Sequence, residues 1–119
     1  MASALRLERI NVLLREVVAN TIERELQFPE DILVTVTRTQ LSEDVHYATI
    51  FISVLGGGAT SESDAIVELN RTIGSIQHEV NRKLRMRPVP RISFAIDSEE
   101  KRRERVEELL ARDAPTIEK

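Results

Sequence analysis

The sequence predicts an α+β domain with elements in the order α–β–β–α–β–α and a three-stranded mixed sheet carrying its helices on one face. Three observations lead there. From Asp64 to Leu84, the residues Ile66, Leu69, Ile73, Ile76, Val80 and Leu84 recur every three or four positions. That is the period of a helix with one buried stripe. Ahead of it lie two alternating runs rich in β-branched residues, and directly after it comes a third. A helix this long between the second and third strands makes those two parallel through a right-handed crossover, while the first two form a hairpin.

The first helix spans about Ala4 to Gln27, with Ser3 as N-cap and Ile10, Leu13, Leu14, Val17, Ile22 and Leu26 at helical spacing. Pro29 stops it, because the residue before a proline is pushed out of the helical region. Ile32, Val34 and Val36 alternate with Leu33, Thr35 and Thr37 as the first strand, and Leu41-Ser42-Glu43-Asp44 is the turn. The second strand runs from Val45 to Leu55, with Ala48, Ile50, Ile52 and Val54 on one face and Tyr47, Thr49, Phe51 and Ser53 on the other. Gly56-Gly57-Gly58 ends it. Thr60 or Ser61 can cap the long helix, and Glu62 and Asp64 favour its dipole. The third strand is Ile92 to Ile96. After it, Asp97 or Ser98 caps a last helix from Glu99 to about Arg112, anchored by Val106, Leu109 and Leu110.

A chain of 119 residues is one domain by size, read here as 1–112 with a flexible tail at 113–119. Without cysteine there is no disulfide framework and no thiolate metal site. No apolar run reaches the roughly 20 residues needed to span a bilayer, and the start lacks a signal-peptide layout, so no membrane partner and a cytoplasmic location are expected. With three Phe, one Tyr and no Trp, the chain is poorly supplied with stacking platforms for single strands. A net charge of −3 argues against indiscriminate nucleic-acid binding, so no DNA partner is expected and any RNA contact has to come from a local patch.

That patch lies between Arg71 and Arg91, where five Arg and one Lys stand against one Glu. At 100° per residue, Arg71, Ser75, His78, Arg82 and Arg85 fall opposite the apolar stripe, with Gly74 at the edge, and the positive run continues into Arg87 and Arg91. Cations on the outer face of an amphipathic helix usually serve only solvation. Here few acidic partners are in view, and Gly74 and Ser75 leave room for phosphate backbone. Other motifs carry less. Gly56-Gly57-Gly58 sits where nucleotide loops sit but lacks the following Gly-Lys-Ser/Thr, which leaves a flexible connection. His46 and His78 lie on separate elements with no Cys or His cluster, so no metal, cofactor or catalytic site is expected. The Glu and Arg residues of the last helix read as a solvated face.

The element order, with its long helix between strands two and three, resembles the type II KH domain. Arg6-Leu7-Glu8-Arg9-Ile10, Ser42-Glu43-Asp44-Val45 with Ala48, and Leu84-Arg85-Met86-Arg87 before Pro90-Arg91-Ile92-Ser93-Phe94 and Asp97 narrow the likeness. Together with Arg105-Val106-Glu107-Glu108-Leu109-Leu110 they are similar to the bacterial ribosome-binding factor A family, over about residues 5 to 110. The resemblance implies a non-catalytic factor that binds free or immature small ribosomal subunits, assists late processing of their rRNA and supports growth in the cold. A monomer is expected. KH domains commonly hold nucleic-acid backbone with a Gly-x-x-Gly loop inside the long helix, and this family replaces it with an Ala-x-Gly interruption. The matching triplet here is Thr72-Ile73-Gly74. Threonine is β-branched and can bond back to the preceding turn, so a kink is expected there, with Gly74 allowing a positive φ or close approach of RNA. The implied RNA-binding residues are Arg71, Gly74, Ser75, His78, Arg82, Arg85, Arg87 and Arg91, with Arg6 and Arg9 of the first helix as an extension of the surface. The alternative from a different class is a protein–protein or oligomerisation module that uses the sheet's outer face, with Tyr47 and Phe51.

Overall fold

The computed structural model describes residues 4–113, so the expected cap Ser3 and residues 114–119 of the expected tail lie outside the described residues. The elements are α1 (Ala4–Glu25), β1 (Ile32–Leu41), β2 (Tyr47–Gly56), α2 (Ser61–Arg71), α3 (Ile73–Lys83), β3 (Arg91–Ile96) and α4 (Ser98–Asp113). Central strand β2 pairs antiparallel with β1, from Ile32 opposite Gly56 to Leu41 opposite Ala48. It pairs parallel with β3, from Tyr47 opposite Arg91 to Ile52 opposite Ile96. This is the α+β order and mixed sheet that the periodicities predict.

One cluster holds the domain together. Ala48, Ile50, Ile52 and Ile92 on the inner face of the sheet meet Ile10, Leu14, Val18 and Ile22 of α1, Leu69 of α2, and Ile76 and Val80 of α3. Each fully buried aliphatic side chain of this kind contributes about 1.5–3 kcal/mol. In α1 the buried row advances by four residues at a time, so Leu13, expected in the stripe, stays exposed. The buried Thr21 returns its hydroxyl to the Val17 carbonyl at 2.7 Å, which satisfies it inside the core.

The hairpin departs from the sequence reading. A bulge at Thr37 leaves Val36 opposite Ile52 and Arg38 opposite Phe51. The bulge resets the alternation, and β1 continues to Leu41 instead of ending at Thr37. Thr39 then faces α1 and donates its hydroxyl to Asn11 Oδ1 at 3.0 Å. Val45, expected to open the second strand, sits in the connection with φ of 62°, a conformation a β-branched residue rarely takes. Asp44 holds it there, accepting from the Ser42 hydroxyl at 2.6 Å and the His46 amide at 3.0 Å. Those bonds lower the Asp44 carboxyl below its usual range, and the turn keeps them at neutral pH. At the far end of β2, Gly56 has φ of 86°, and a Cβ there would lie 2.1 Å from the Asp31 carbonyl oxygen. The glycine run is a structural turn against the start of β1.

The long helix is divided at Thr72, whose φ and ψ of −106° and 11° leave the helical basin. Its hydroxyl donates back to the carbonyls of Glu68 at 3.1 Å and Leu69 at 3.3 Å. Thr60 occupies the N-cap position of α2 without a side-chain cap, because its hydroxyl meets the Asp64 carboxylate at 3.0 Å.

The expectation for the last helix needs correction. Val106, Leu109 and Leu110 of α4 are exposed and anchor nothing in the core. The inner face of the sheet is already covered by α1, α2 and α3, and the start of α4 is fixed elsewhere. The buried Asp97 carboxylate, just ahead of α4, accepts from the Thr37 hydroxyl at 2.5 Å and from Arg38 Nε at 3.3 Å. The helices that pack on one face are therefore α1, α2 and α3.

Candidate nucleic-acid interface

Burial of Ile76, Val80 and Leu84 turns one side of α3 inward, and its opposite side is left to solvent. Gly74, Ser75, His78, Arg82 and Arg85 are all exposed along that outer stripe, with Arg71 exposed just before it. Beyond the last turn of α3, Arg82, Arg85 and Arg87 line an open concavity of about 680 Å³. Leu84, Met86 and Val89 contribute its apolar lining, and Asn81 an amide. Six predicted residues thus share this side, and two of them, Arg82 and Arg85, converge with Arg87 on one groove.

The groove is held in shape by Gln77, a residue the sequence reading passed over. From the middle of α3 its Oε1 accepts the Ile92 amide at 2.9 Å, while Nε2 donates to the Pro90 carbonyl at 3.0 Å and to Asn81 Oδ1 at 3.0 Å. One side chain therefore ties the helix to the start of β3 and fixes both ends of the arginine-bearing loop between them. Ile92 is buried, so Gln77→Ala leaves its amide without this partner, and a stability loss of about 1–3 kcal/mol is expected in denaturant titration.

The charges are less uniform than composition suggests. Arg71 donates from Nε to Glu68 Oε1 at 3.2 Å, and Arg82 from Nη2 to Glu79 Oε1 at 3.2 Å. Glu79 also lies 3.6 Å from Arg24 Nη2, so the last turn of α1 reaches α3 by an ion pair. The hydrogen bond from Arg71 holds the Glu68 carboxyl below its usual range, and that from Arg82 does the same to Glu79. Both carboxylates stay ionised at neutral pH, and what these pairs contribute is lost only as pH falls through their lowered pKa values. Arg85, Arg87 and Arg91 make no ion pair among the described residues. Arg91, however, is aligned with Tyr47 at the outer face of the sheet, apart from the groove. That outer face is itself partly closed, since the Arg38 guanidinium lies 3.9 Å from the Phe51 ring centroid, which leaves Tyr47 as its exposed aromatic.

Gly74 lies inside α3 without a left-handed φ, and a Cβ built on it meets nothing within 4 Å. Of the two roles expected for Gly74, the positive φ is not found, and the backbone leaves helical geometry at Thr72. Since Gly costs about 1 kcal/mol relative to Ala in an exposed helix, Gly74→Ala is expected to stabilise the fold by up to about that amount, read from the denaturation midpoint. Among the described residues, no three His, Asp or Glu side chains are grouped to hold a metal ion, and no helix is long and apolar enough to cross a membrane.

Comparison with known proteins places these features in a wider set. The sequence profile described as ribosome-binding factor A matches residues 6–110. Ribosome-binding factor A of Protochlamydia amoebophila is 38% identical over 108 residues, which span 90% of this chain and 82% of that one. The solution structure of a putative ribosome binding factor A from Thermotoga maritima superposes with a TM-score of 0.66 at 26% identity, over 80% of this chain and 90% of that one. A homology model of the Thermus thermophilus factor, fitted into the cryo-EM map of a 30S complex, gives a TM-score of 0.59 at 25% identity, over 71% and 88%.

Proposed function

The chain belongs to the ribosome-binding factor A family, and from that premise we propose that it binds the small ribosomal subunit and assists late maturation of its rRNA. The docking surface in this reading is the outer stripe of α3 with the groove at its end. One observation carries it: Arg82, Arg85 and Arg87 converge on a single concavity, and two of the three have no acidic partner among the described residues. Cations held in this way answer phosphates, while Gly74 and Ser75 let a sugar–phosphate backbone come close to the helix. Such a surface reads the shape and charge of folded RNA more than its sequence. The role is one of binding and release in the cytoplasm, without catalysis, and it extends to growth in the cold, when RNA folding is slow to correct itself.

The test is co-sedimentation of the chain with mature and immature small subunits at two salt concentrations. Binding is expected to favour immature subunits and to weaken with salt, log K falling by about 0.7–0.9 per phosphate contact for each unit of log salt. Binding that ignores salt would point instead to an apolar contact through the outer face of the sheet.

A further inference from the structure

Resting on the reading of α3 as an RNA-docking surface, we infer that the groove at its C-terminal end receives an unstacked nucleobase, with the flanking phosphates held by Arg85 and Arg87. A surface that only tracks phosphates needs cations and nothing else. Here the cations rim an apolar wall: Leu84 is buried, and Met86 and Val89 are half-buried against the core, with part of each left at the concavity. Its volume of about 680 Å³ is ample for one base and its sugar. Asn81, exposed at the edge, has its Oδ1 engaged by Gln77 and offers its amide NH2 as a donor to a base edge. Methionine is polarizable and adapts to flat rings, and an arginine plane stacks on a base as an aromatic side chain does.

This arrangement also answers the objection that the composition raised. The chain has four aromatic residues, and none of them lines the groove. Stacking through guanidinium and thioether groups needs none. An intact A-form duplex keeps its bases inside the stack and presents none to such a groove, so the ligand is a single strand, a bulge or an end.

The test uses the full chain and three RNAs of equal phosphate number: a single-stranded oligouridylate, its abasic counterpart and a duplex. Binding is measured at two salt concentrations. The base-bearing strand is expected to bind roughly tenfold tighter than the abasic one at both salts, the worth of about one stacked base. Met86→Ala should erase that difference while the salt slope is kept, and Asn81→Ala, at an exposed position, reads the same contact if Met86→Ala loosens the loop. Equal binding of base-bearing and abasic strands, tightest binding of the duplex, or no binding of either single strand overturns the base pocket. Co-sedimentation with small subunits separately decides whether the surface docks RNA at all.

Discussion

Replacing Ile76 by alanine is expected to destabilise the domain by about 2–5 kcal/mol, the range for large-to-small changes in a packed core. Ile76 is 0% exposed and belongs to the cluster formed by Ile50, Ile52, Leu69 and Val80. It lies one turn beyond the Thr72 interruption, so the core at this point joins both halves of the divided helix to the sheet. Removing three carbons there costs their transfer free energy and leaves a cavity that well-packed neighbours fill only in part. The measurement is urea unfolding followed by circular dichroism, with a lower midpoint at an unchanged m-value. Val67→Ala, on the exposed side of α2, serves as the control and should stay within about 0.5 kcal/mol. A similarly small loss for Ile76→Ala would mean that the stripe does not carry the fold.

That stripe was legible before any coordinates because burial enforces a period, and the same holds for Ala48, Ile50 and Ile52. What sequence hid is what period cannot express. Val45 has strand chemistry and sits in a left-handed turn, because the Ser42 hydroxyl and the His46 amide, both bonded to Asp44, decide the local backbone. The Thr37 bulge moves later residues of β1 to the other face, so polar Thr39 points at a helix and the strand outlasts its apolar run. Val106, Leu109 and Leu110 have the spacing of a buried face, yet spacing says nothing about whether a free surface remains to cover it.

The candidate site was legible in the same partial way. A window opened at Arg71 excludes Glu68, three residues earlier, and so overstates the free charge at that end. The interruption expected over Thr72-Ile73-Gly74 falls at Thr72, whose hydroxyl bonds back to the preceding turn, while Gly74 has no positive φ. Gln77 gave no signal, since a lone glutamine on a helix becomes a clasp only when β3 is brought beside it.

The double substitution Arg85→Glu with Arg87→Glu is expected to weaken small-subunit binding about a hundredfold. These two arginines line the groove without ion-pair partners among the described residues, so each is available for a phosphate. A charge-assisted contact is worth about 1.5 kcal/mol, close to tenfold in affinity, and two are lost. The salt dependence should flatten by about 0.7–0.9 per contact, and circular dichroism should stay native because both side chains are exposed. Net charge alone would predict the same loss from any two reversals. Arg102→Glu with Arg103→Glu makes that comparison, since it changes the charge equally on α4, at exposed positions away from the groove. Groove-specific docking requires the first pair to cost far more than the second. If both pairs weakened binding alike, long-range charge would account for the affinity and the concavity would have no part in it.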